Sequence, residues 1–282
     1  MRESSNPVFR SLPKTQGGYA TFGTGAAGYG TQQVHAEPYT TRYPEQTGVA
    51  RPMTIDDVVT KTGITLAVLS AVAVVSYFLV GMNPGLAAPL TIIGAIGGLV
   101  MVLIATFGRK QDNPAIVLTY AGLEGLFLGA ISWLFGNVVV AGGSAGALIT
   151  QAVLATLGVF FGMLVVYKTG AIRVTPKFTR MIVAGIFGVL VLMVGNLVLA
   201  MFGVGGGEGM GLRSGGTIAI IFSLVCIGLA AFSFLLDFDA ADQMIRAGAP
   251  EKAAWGVALG LTVTLVWLYI EILRLLSYFQ ND

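Results

Sequence analysis

Four carboxylates interrupt otherwise apolar stretches of this chain: Glu124, Asp237, Asp239 and Glu271. A charged side chain inside a bilayer costs about 2.5–3.5 kcal/mol on insertion scales, so acids in such places mark an ion or proton pathway by default. Two carboxylates that meet in a dry site cannot both ionise cheaply. They share a proton, and the pair then works as a proton-sensitive switch. Fully ionised, the same pair offers hard oxygen ligands to Ca²⁺.

Spacing separates these acids. Asp237 and Asp239 are two residues apart, about 200° of helical rotation, so they cannot face one interior together. Asp237 directly follows the apolar run and is the expected inward one. Asp239 and Asp242 share a face and are expected at the interface. Glu124 lies nine residues past the start of its run, about 14 Å deep by helix rise. Its bland alternative is a neutral acid bonded to a neighbouring helix, with Asn196 as the candidate partner. Glu271 has Arg274 one turn on, which reads as a local ion pair. Asp57 and Lys61 read as interfacial anchors.

The elements that carry these acids are membrane spans. Hydrophobic residues make up 55% of the 282 residues and charged residues 11%, far below the ~25% charged of a soluble protein. Seven runs are long enough, at about 20 residues each, to cross the hydrocarbon core. They cover 58–81, 86–107, 115–139, 146–167, 180–203, 216–241 and 253–279. The expected fold is therefore all-α, with seven transmembrane helices. The runs are too long and continuous for barrel strands. Gly125 and Gly129, Gly94, Gly97 and Gly98, and Gly185 and Gly188 let helices approach closely.

Residues 1–52 are rich in Gly, Thr, Tyr, Gln and Pro without apolar periodicity. They read as a disordered cytoplasmic tail, and 53–282 as the transmembrane domain. No apolar core of a signal peptide occurs in the first 50 residues, so the first span is expected to direct insertion. Lys and Arg gather in alternate loops: Arg109 and Lys110; Lys168, Arg173, Lys177 and Arg180; Arg246 and Lys252. Only Arg213 stands in the opposite loops. By the positive-inside rule the N-terminus is cytoplasmic in a cell membrane, and the C-terminus lies on the other side.

The formal charge of +2 is too balanced for a nucleic-acid binder. Cys226 is the single cysteine, so no intrachain disulfide can form. The Gly23–Gly28 GxGxxG lacks a preceding strand. The Gly142–Gly146 GxSxG lies across the membrane from His35, the only histidine, so neither enzyme motif is supported. No cofactor is expected, an enzyme is not, and the lipid bilayer is the first partner.

Three segments carry a family resemblance: Glu124 to Gly129 (EGLFLG), Phe234 to Gln243 (FLLDFDAADQ) and Trp267 to Leu276 (WLYIEILRLL). Over about residues 50–280 the chain resembles the Bax inhibitor family, more closely its bacterial Bax inhibitor-like branch, related to the transmembrane Bax inhibitor motif proteins. The resemblance implies seven helices with the last one central. It also implies a pH-sensitive Ca²⁺ leak gated by an acidic pair from spans six and seven. By motif the pair would be Asp237 and Glu271, which would also be the Ca²⁺ ligands. The family pair is usually two aspartates closer in sequence, and Glu124 is nearer Asp237 in depth. The alternative is a non-conducting regulator that acts through membrane protein partners, such as a membrane protease or stress-response component.

Overall fold

A computed structural model describes residues 51–140 and 144–280. The tail with its GxGxxG and His35, and two glycines of the GxSxG, lie outside the described residues.

Seven long helices form, all apolar enough to cross a membrane: α1 (Ile55–Met82), α2 (Ala87–Phe107), α3 (Pro114–Leu134), α4 (Ala145–Thr169), α5 (Pro176–Met201), α6 (Thr217–Arg246) and α7 (Ala253–Gln280). Their starts follow capping chemistry. Thr54 and Asp57 form a reciprocal capping box on α1, while Asn113 before Pro114 and Thr175 before Pro176 cap α3 and α5. Each cap accepts from an orphan N–H, and proline at the first position loses no needed donor. Helix α3 gives way at Leu134 to a π turn over Phe135–Val139, and two boundaries extend four residues or more beyond the hydropathy reading. Helix α5 begins four residues before 180, because Thr175-Pro176 is a start signal that hydropathy ignores. Helix α6 runs five residues past 241, through its polar end, and stops where Gly248 takes a left-handed φ of 67°.

Burial makes α7 the centre of the bundle. In its most apolar window 72% of residues are buried, against 11–44% for the other six helices. It packs on α1, α3, α4 and α6, whereas α5 leans on α6. Residues such as Ile92, Ile96 and Leu99 on α2 and Leu190, Val191 and Val194 on α5 remain exposed. They form the lipid-facing belt expected when hydrocarbon is the solvent.

Helices α1 and α3 meet at a glycine notch. A Cβ on Gly125 would lie 2.6 Å from the Leu69 carbonyl oxygen, and one on Gly129 would lie 2.6 Å from Ser76 Cβ and collide with the Ala73 carbonyl. Only glycine allows this approach, and Ser76 Oγ then donates across it to the Leu126 carbonyl at 2.7 Å.

Candidate functional site

The loops richest in Lys and Arg share one end of the bundle, here called the basic end. There a clamp ties the start of α1 to the α6–α7 turn. Arg51 pairs with Asp57 at 2.7 Å and Lys61 with Glu251 at 3.2 Å. Lys61 also donates to the Glu251 carbonyl at 2.7 Å, and Met53 N–H donates to the Ala249 carbonyl at 2.8 Å. Asp57 and Lys61 are thus buried anchors of a turn, a role that the interfacial expectation only partly captures. Arg51 and Glu251 were not singled out from the sequence, because a contact across some two hundred residues leaves no local pattern.

Asp237 is partly buried on α6 and turns to α7. Thr264 Oγ1 donates to Asp237 Oδ2 at 2.7 Å and sits 3.2 Å from its own-helix acceptor, the Gly260 carbonyl. A Cβ on Gly260 would lie 3.8 Å from Asp237 Oδ1. Gly256, one turn earlier, lies against Gln111, with 3.3 Å from a built Cβ to Gln111 Cβ. Gly256, Gly260 and Thr264 recur every four residues and so form one small-residue stripe on α7. The stripe begins in a cavity of about 360 Å³ at the basic end, lined by Thr106, Arg109, Gln111, Asp112, Met244, Ala253 and Gly256. It ends about 12 Å along the helix, at the acid. The sequence reading did not single out this stripe, and nothing in the sequence said which acid it would meet.

Asp239 and Asp242 point elsewhere. Gln243 donates to Asp239 at 2.6 Å. Asp242 pairs with Arg246 at 2.6 Å and accepts from the Tyr167 hydroxyl at 3.3 Å.

Glu124 projects from α3 onto α2, where a Cβ on Gly98 would lie 2.8 Å from Glu124 Oε1. Gly98 is the notch that admits this carboxyl. Glu124 Oε2 is buried without a hydrogen-bond partner among the described residues. Asn196 is not its partner. Its side-chain oxygen instead accepts from Met210 N–H at 2.7 Å and holds the glycine-rich α5–α6 loop.

Glu271 is 2% exposed and belongs to a different cluster. Its Oε1 accepts from Arg274 at 3.2 Å, the local pair expected, and also from Arg213 at 3.3 Å. Glu271 lies seven residues beyond Thr264, about 10 Å farther along α7. The structure therefore brings Asp237 and Glu271 to separate partners and forms no shared two-carboxylate Ca²⁺ site. Glu271 is neutralised by two guanidiniums, while Asp237 meets a hydroxyl. Among the described residues, no group of three or more His, Cys, Asp or Glu side chains is placed to hold a metal ion. Arg213 was visible only as the single base of its side.

Compared with known families, the chain matches the one described as Bax inhibitor 1 like over residues 6–281. The match reaches well into the N-terminal segment, beyond the 50–280 of the motif resemblance. No curated protein matches it significantly.

Proposed function

We infer that this chain, which belongs to the Bax inhibitor 1 like family and is a multi-pass membrane protein, is a passive cation leak, with Ca²⁺ as its permeant ion and Asp237 as its proton-sensitive gate. The reading sets the basic end in the cytoplasm of a cell, with the membrane crossed seven times.

One observation carries it: the Asp237–Thr264 hydrogen bond across α6 and α7, at the inner end of a small-residue stripe that starts in the basic-end cavity. An ionised carboxylate accepts a charge-assisted bond from the threonine hydroxyl. A protonated one gives up that charge. The hydroxyl then has its own Gly260 carbonyl to return to, and the tether between the two helices changes. The same charge attracts a cation entering from the cavity, and protonation removes the attraction. Glu124, set against Gly98 of α2, is a second acid, with one buried oxygen that has no hydrogen-bond partner among the described residues. Glu271, already matched by two arginines, serves as an anchor in this scheme.

The experiment is Ca²⁺ entry into liposomes loaded with a fluorescent indicator. Protein-containing liposomes should admit Ca²⁺ faster than empty ones, with a rate that depends on pH. Equal rates would end the leak reading and leave the non-conducting regulator.

A further inference from the structure

A second cavity beside the bundle lies away from Asp237. Its volume is about 610 Å³, and it opens sideways between α1 and α4 over a floor made by α3 and α7. Leu66, Leu69 and Ala73 on α1, Val153 and Leu157 on α4, and Leu265 on α7 make its walls apolar. Its rim is continuous with the lipid-facing surface, since Val74, Phe78 and Val153 both line it and remain widely exposed.

Dimensions select the occupant. Along α1 the lining extends from Leu66 to Phe78, about 18 Å by helix rise. One leaflet holds half of a hydrocarbon core of about 30 Å, so a lipid chain reaches about 15 Å. Apolar side chains dominate these walls, with scattered hydroxyls and no charged group among the lining residues, so they suit a hydrocarbon chain better than a charged solute.

Polarity sets the direction. Hydroxyls collect at the end remote from the basic loops. Ser132 Oγ donates to the Leu128 carbonyl, which leaves the Tyr269 hydroxyl as donor in the 2.8 Å Ser132–Tyr269 bond. Tyr77 lines the same end and forms no side-chain hydrogen bond among the described residues. It sits five residues before the end of α1, about 8 Å below it. That is the level where aromatic hydroxyls meet lipid ester groups.

We propose that this groove is a lipid-binding site that holds one acyl chain of a bilayer phospholipid from the leaflet opposite the basic loops. The ester group accepts from Tyr77, and the chain runs along α1 toward Leu66. The site is independent of the leak reading and touches neither Asp237 nor Thr264.

The test uses full-length protein in vesicles of phosphatidylethanolamine and phosphatidylglycerol. The vesicles are doped with a phospholipid that carries a photoactivatable diazirine midway along one acyl chain. After irradiation, labelled peptides are mapped by mass spectrometry. Labelling should concentrate on 66–78 and 149–157. Ser70→Trp and Thr150→Trp, which plug opposite walls, should each remove it, and Tyr77→Phe should weaken it. Val191→Trp on the exposed face of α5 should leave it unchanged. Helical circular dichroism and thermal unfolding identify a folded plug variant, and either one suffices. Labelling spread evenly around the bundle, or unmoved by a folded plug variant, would overturn the proposal. So would labelling by a diazirine fatty acid that excess phospholipid fails to displace.

Discussion

Glu271→Gln is the substitution whose effect the ion pairs predict most sharply. The carboxylate is 3% exposed as a side chain, and one oxygen serves Arg213 at 3.3 Å and Arg274 at 3.2 Å. Glutamine keeps the shape and removes the charge, so two guanidiniums are left facing each other. Breaking a buried pair from one side costs about 3–5 kcal/mol. The arginines are 28% and 16% exposed, and water reaching them argues for the lower figure, about 3 kcal/mol. Arg213→Gln differs, because Arg274 still neutralises Glu271. It should cost only about 1 kcal/mol, the value of one hydrogen bond. Arg274→Gln, the less exposed of the two, should fall between. For a chain this long 1 kcal/mol moves the midpoint by about 2–4 °C. Glu271→Gln should therefore lower the unfolding temperature in detergent by about 6–12 °C, and Arg213→Gln by about 2–4 °C. The assay is a thermal melt followed by tryptophan fluorescence. If Arg213→Gln were as damaging as Glu271→Gln, the shared carboxylate would be refuted. If Glu271→Gln were neutral, the carboxyl would not be acting as the charge partner of these arginines at all.

Other regions give separate expectations. Gly129→Val should force α1 away from α3 and destabilise by about 1–3 kcal/mol, whereas Gly122→Ala, with open space around it, should stay within about 0.5 kcal/mol of native; thermal melts of both variants check the notch. Ser132→Ala and Tyr269→Phe should each cost about 1 kcal/mol, and a double-mutant cycle should return a coupling near that value, since one hydrogen bond joins them. Lys61→Met should free the α6–α7 turn, read as faster amide exchange at Ala254 and Glu251, with α5 unaffected.

Much of the architecture was legible because lipid leaves few options. Backbone groups must be satisfied within each span, so seven apolar runs become seven helices, and capping residues such as Thr175 and Asn113 place their starts. The centrality of α7 came through the family motifs, since its composition alone resembles that of its neighbours. Helical rotation allowed only one of Asp237 and Asp239 to face inward, and the apolar run directly before Asp237 pointed to that one. Its partner had no such signal. Thr264 is an unremarkable residue until α6 and α7 are docked, and the pair of acids implied by the resemblance dissolves because Arg213 reaches Glu271 from a loop 58 residues away. Asn196 failed as a partner for Glu124 because α5 leans on α6 rather than on α3, and its side chain holds the loop at Met210 instead. In each case a contact of long sequence separation decided the outcome, and such contacts leave no period or spacing to read.

The account rests on the carboxylate facing Thr264, and the most direct measurement of it is the pH profile of Ca²⁺ flux for Asp237→Asn beside Asp239→Asn, in the same liposomes. Asp237→Asn should flatten the pH dependence while Asp239→Asn, whose side chain bonds Gln243 on the outer face, keeps the native profile. A native profile in Asp237→Asn, or equal flattening in both, would contradict the assignment of the gate.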